Sequence, residues 1–202
     1  MGRELDPEIC ACILEFLVHK SPDDMLLKKL IRVFPPLNPS PRLKKSLLLR
    51  SIQNVITAGE IPEKLLDYLE MISRIETKQR VPIPDSMRDA YCAVAMDCTT
   101  KFLAGSPDST VLYSDAVNRI WRGRIENLER SEASGLVSKR LRNLRRQVEA
   151  AFGDEEVVRR LVAINTRADA FFSLRLYLRE AVATMGPPLL ERAWLGFTVG
   201  QS

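Results

Sequence analysis

Apolar residues recur along this chain at three- and four-residue intervals, in stretches punctuated by proline, glycine and Ser/Asp clusters. That is the period of helices with one buried face. Asp6-Pro7-Glu8 sets an N-cap, an N1 proline and a first-turn acid in order, and Ile9, Ile13, Phe16 and Leu17 follow at helical spacing, so a first helix is predicted from Pro7 to His19. Ser21-Pro22-Asp23-Asp24 repeats the start signal; Met25, Leu26, Leu30 and Val33 supply the apolar positions until Pro35-Pro36 ends the helix,. After Asn38-Pro39-Ser40-Pro41, a wide stripe of Leu43, Leu47, Leu48, Ile52, Val55 and Ile56 stops at Gly59, a suitable C′ residue,. This third helix is expected at the centre of the core.

Pro62-Glu63 opens a fourth helix with Leu65, Leu66, Leu69, Met71 and Ile72 as its stripe, and the polar run from Ser73 to Arg80 interrupts it. Val81-Pro82-Ile83-Pro84 is a connector, because each proline drives the preceding residue toward extended geometry,. A fifth helix is predicted from Asp85 to Leu103, its small residues Ala90, Cys92, Ala93 and Ala95 allowing close neighbours, before Gly105. Ser106-Pro107-Asp108 starts another helix through Ala116, Ile120, Trp121, Ile125 and Leu128, with Ser114-Asp115 as the alternative cap. Beyond Gly135, Val137, Leu141, Leu144, Val148 and Phe152 share one side of a helix that Gly153 ends. Asp154 then caps a pattern running from Glu155 to Met185, which reads as a single helix of about thirty residues,. Gly186-Pro187-Pro188 stops it, leaving a short amphipathic piece from Leu189 to Leu195 and a polar Gly-Gln-Ser.

The expected fold is all-α: one bundle of eight to nine helices over residues 1–186, with a C-terminal amphipathic tail at 187–202. Composition agrees, since 46% hydrophobic and 28% charged residues belong to an ordinary globular domain, and 9 Gly against 12 Pro with few aromatics favours helices over sheet,. No fixed-period repeat or low-complexity tract interrupts the chain. Acids near the start, where a secretory signal needs cations, and the lack of a long apolar run point to a cytosolic or nuclear protein without membrane contact,.

Charge is uneven. Residues 1–100 balance 14 cations with 14 acids, whereas residues 101–202 hold 16 against 12. Within the second half, Lys139, Arg140, Arg142, Arg145 and Arg146 follow one another with no acid between them, a face that suits nucleic acid or an acidic partner, or simply solvent,. Arg119, Arg122 and Arg124 around Trp121 extend it.

Catalytic raw material is scarce. Cys10, Cys12, Cys92 and Cys98 with the single His19 invite a zinc reading,. Helical geometry turns Cys10 and Cys12 about 200° apart, and Cys92 and Cys98 about 240°, so buried thiols in a reducing compartment are expected and no metal or cofactor. His19 at a helix end is placed to meet terminal carbonyls. Asp23-Asp24 and Glu155-Glu156 complement helix starts, and no glycine-rich phosphate loop exists,. The chain is therefore expected to be a non-enzyme with no catalytic residues.

The stretch CILEFLVHKSPDDMLLKKLIRVFP, followed by RLKKSLLLRSIQNVITAGEIPEKLLDYLEMI, resembles the N-terminal region of the plant telomere-repeat-binding-factor-like proteins, and more loosely the TRF homology domain of animal telomeric factors. A helix with an aromatic-Leu pair leads to a short second helix, a long leucine-rich helix ending at Ala58-Gly59, and a helix ending Leu69-Glu70-Met71-Ile72; YSDAVNRIWRGRI further on looks like a segment of the plant family too. The resemblance implies a nuclear domain that dimerises or docks partner peptides in a telomere- or chromatin-associated, Myb-type DNA-binding factor. It places the interface on the first and last helices, at Leu14, Phe16, Leu17, Phe171, Leu174 and Leu178. No Myb-like VDLKDKWRN segment is present, so direct DNA reading is expected of a domain outside this chain. The alternative is a nucleic-acid-associated transcription regulator that uses the basic face at Lys139–Arg146.

Overall fold

In the computed structural model, which describes residues 6–21, 23–34, 39–103, 109–131 and 135–199, every regular element is helical. Helix α1 spans Pro7–Lys20; the Asp6 carboxylate accepts the Glu8 N–H at 2.8 Å and Pro7 fills the first position,. Helix α2 spans Asp24–Val33, its start held by Asp23, which accepts the N–H groups of Met25 and Leu26 at 2.8 and 3.1 Å. Ser40 Oγ accepts the Leu43 N–H at the head of α3, Pro41–Thr57. Gly59 ends that helix at φ +74°, a left-handed geometry in which its N–H and that of Glu60 return to the carbonyls of Ile56 and Val55,.

Helix α4, Lys64–Lys78, continues through the polar run expected to interrupt it. The reason is placement: Leu69, Ile72, Ser73 and Glu76 all face inward at helical spacing, so the two polar residues extend the buried face,. After α5, Asp85–Thr100, one unbroken helix runs through α6 (Ser109–Ala116), a π-helical stretch Val117–Ile125 and α7 (Glu126–Arg130). Ser114 and Asp115 lie inside it and cap nothing. Ser138 caps α8, Lys139–Ala150, and Asp154 caps α9, Glu155–Ala163. The long helix expected from Glu155 to Met185 is two. Ile164 is extended at φ −82°, ψ 131°, and the Asn165 side chain accepts the Ala168 N–H at 3.0 Å, restarting the chain as α10, Thr166–Met185,. Helix α11, Leu189–Val199, follows. The break gives ten helices among the described residues, with Ser109–Arg130 taken as one. The stops expected at Pro35-Pro36 and Gly105, the start at Ser106-Pro107-Asp108, and the positions of Pro22, Asn38 and the final Gly-Gln-Ser lie outside the described residues.

The chain divides into two compact units, Met1–Gln53 with Ala181–Ser202, and Asn54–Glu180, the boundaries falling within α3 and α10. In the first, α1 packs on α2 and on α11, so the expected tail contributes a docked helix. Leu14, Val18, Leu27 and Leu43 form the core, with Leu17, Phe34 and Leu47 at its edge. Glu15, 2% exposed, is paired with Arg42, whose guanidinium also donates to the carbonyls of Met185, Gly186 and Pro187 at 2.6, 3.1 and 2.8 Å. One side chain thereby satisfies carbonyls that the end of α10 leaves open.

In the second unit the most enclosed element is α5, where all but three residues are buried, and not the third helix. Helices α4, α6 and α8 and the π-helical stretch pack around it. Its Ala and Cys positions let neighbours approach from several sides. Trp121, fully buried, donates its indole N–H to Thr99 Oγ1 at 2.8 Å.

Candidate functional site

The basic helix α8 keeps an apolar inner row, Leu141 and Val148, and turns its cations outward. Much of that charge is neutralised inside the unit. Arg145 meets Glu126, Glu129 and Glu149 at 2.9, 2.6 and 3.3 Å. Burial opposes its charge, but the hydrogen bonds it donates to Glu149 and Glu129 outweigh that and raise its pKa above the ordinary arginine value,. Arg140 pairs with Asp89 at 2.7 Å, and Arg142 lies 3.8 Å from Glu129. Lys139 and Arg146 are exposed with no carboxylate partner among the described residues. Of the flanking arginines, Arg119 pairs with Glu63 and Arg124 with Asp67 and Glu70. Arg122 lies over the half-exposed Phe152 ring, 5.6 Å from its centroid.

The six interface positions divide by burial. Leu14, Leu174 and Leu178 are interior, at 2%, 0% and 6% exposure, while Phe16, Leu17 and Phe171 are half-buried. Helix α10 packs Ala170, Leu174, Tyr177 and Ala181 inward at helical spacing, which turns Phe172 and Leu176 to solvent at 69% and 46% exposure. Arg167 and Arg175 stack on the Phe171 ring at 5.6 and 5.7 Å, and Arg179 is exposed a turn beyond Arg175,. The outward surface is thus apolar, with Arg175 and Arg179 along one edge and Asp169 and Glu180 along the other,. It was legible once Ala170 and Tyr177 were counted in the inner row.

In the second unit a polar cluster holds its charges against one another. Glu70, largely buried, accepts from Tyr91 Oη at 2.8 Å and Arg124 Nη1 at 2.9 Å. Burial, followed by the Glu70 charge, pushes the Tyr91 phenol far above its usual pKa. Burial also opposes the Arg124 charge, yet the bonds to Glu70 and Asp67 outweigh it. A cavity of about 340 Å³ beside this cluster is lined by Glu70, Ser73, Arg74, Arg124, Asn127 and Leu136 among others. In the first unit, Pro7, Glu8, Ala11, Cys12, Glu15 and Leu189 line a cavity of about 480 Å³.

All four cysteines are free thiols, with Cys10, Cys92 and Cys98 buried. Burial pushes Cys92 and Cys98 up to about 11 and raises Cys12 as well. Among the described residues no group of three or more His, Cys, Asp or Glu is placed to hold a metal, and no helix is long and apolar enough to cross a membrane. His19 Nε2 lies 3.0 Å from Ser46 Oγ, and burial lowers its pKa.

The fold class is all-α. No family model, curated protein or solved structure matches the chain.

Proposed function

We propose that this chain is a non-enzymatic docking and self-association module of a nuclear, telomere- or chromatin-associated factor, with a TRF-homology-like arrangement of helices. The observation that carries this reading is the outward face of α10, where Phe172 and Leu176 stand in solvent between Arg175 and Arg179 on one edge and Asp169 and Glu180 on the other,. Contiguous exposed apolar surface framed by charge is characteristic of association sites. The sequence resemblance points to the same helix and supplies the nuclear setting. DNA contact belongs in this reading to a domain outside the chain. Replacing Phe172 and Leu176 by Arg, at exposed positions that leave the core intact, tests it: the purified chain should lose self-association, or its capture of a partner from nuclear extract, while its circular dichroism is unchanged.

The alternative, a nucleic-acid regulator reading phosphates through α8, draws support from Lys139 and Arg146 alone among the five cations, because Arg140, Arg142 and Arg145 are near carboxylates.

A further inference from the structure

Helix α2 is the element whose surface fits its own unit least. Its inward row is Leu27, Leu30 and Phe34, of which Leu27 alone is fully buried. The positions that periodicity assigned to the core, Met25, Leu26 and Val33, are 61%, 39% and 73% exposed, and Ile31 is 50% exposed. Between them Lys28, Lys29 and Arg32 are exposed. Helical geometry puts Lys28, Lys29 and Arg32 on one outward stripe with Met25, flanked by Val33 and Leu26 on one side and Ile31 on the other.

Several cations elsewhere are neutralised by carboxylates, among them Arg42, Arg88, Arg124 and Arg145. Three exposed cations on ten residues, bordered by exposed aliphatic side chains, give this helix a cationic crest with apolar flanks. We infer that the outer face of α2 docks an acidic amphipathic helix of a partner protein. The partner's carboxylates meet Lys28, Lys29 and Arg32, and its apolar side chains cover Met25 and Val33.

Charge and shape select this occupant over others. A second copy placed face to face would oppose cation to cation. A nucleic-acid backbone offers nothing to Met25 and Val33, whose exposure costs the free protein contact with water that only an apolar partner relieves. An anionic membrane suits apolar faces with cations at their edges, whereas here the cations form the crest, so insertion of the flanks would bury them. The helix-in-groove mode of recognition uses anchors at the spacing available on such a face.

The inference rests on the docking function but concerns a different surface from α10, so the two fail separately. The full chain is titrated into four labelled probes: a Glu/Leu amphipathic helical peptide, the same peptide with Leu replaced by Ser, a duplex DNA, and phosphatidylserine vesicles. The variants are Lys28→Glu with Lys29→Glu, Met25→Ser with Val33→Ser, and, as control, Lys139→Glu with Arg146→Glu, each checked for folding by circular dichroism. The Glu/Leu peptide should bind, and each α2 variant should weaken it about tenfold or more while the α8 control leaves it unchanged. Absence of binding, equal binding of the Ser peptide, preference for DNA or vesicles, or indifference to the α2 variants would overturn the inference. Sedimentation of the same α2 variants reports α10-mediated association independently.

Discussion

His19 carries the molecule's only imidazole, and its setting converts burial into a pH dependence. Its folded pKa lies below the reference value of 6.5, with burial as the main cause. The unfolded chain therefore binds the proton more readily than the native one, and stability rises with pH across that interval. Chemical denaturation should show stability complete above about pH 6.5 and falling as the pH drops through the imidazole range. His19→Gln should flatten that part of the profile. At Gly135 the constraint is steric: an added Cβ would lie 2.5 Å from Cγ1 of the buried Ile83. Gly135→Ala should cost about 1–3 kcal/mol in urea unfolding. Gly153→Ala, where a Cβ meets nothing, should be close to neutral. Caps at Asp6 and Asp154 and the left-handed Gly59 were readable because their chemistry is local, and the start signal at Ser21–Asp24 located the second helix although its cap falls on Asp23. Asn165 was not, because the apolar period continues across it and hid a cap that only the extended Ile164 makes necessary.

Helix faces are harder to read than helix positions. On α8 the run of cations was plain in the sequence, but Glu126 and Glu129 are brought to Arg145 by the preceding helix, and Asp89 reaches Arg140 from α5. No spacing within α8 announces those partners. The consequence is measurable. If duplex DNA binds this face, two unpaired cations predict a slope of log K against log salt of about −2, whereas five free cations would give roughly −4 to −5. A steep slope, abolished by Lys139→Glu with Arg146→Glu, would restore α8 as a nucleic-acid interface. The π-helical stretch Val117–Ile125 likewise had no recognisable sequence signal; its apolar residues Val117, Ile120, Trp121 and Ile125 follow a spacing that an α-helix also uses. The centrality of α5 had been implied by its small residues, yet the leucine-rich α3 was the more conspicuous candidate.

At the scale of the whole molecule, the all-helical class followed from periodicity and composition, while the division into two units did not, because the Ala181–Ser202 segment joins the N-terminal unit from the far end of the chain. Polar groups in the interior are largely matched to one another, as in the Glu70–Tyr91–Arg124 set. Exposed apolar side chains are prominent on α2, α10 and α11, where Val33, Phe172 and Trp194 are 73%, 69% and 71% exposed, and the proposed docking function would use such surface,. Sedimentation equilibrium of the purified chain, alone and with nuclear extract proteins retained by it, tests that claim most directly. Wild-type protein should associate with itself or hold a partner, and Phe172→Arg with Leu176→Arg should release it as a folded monomer. A wild-type chain that sediments as a monomer and retains nothing, or an association that survives both substitutions, would contradict it.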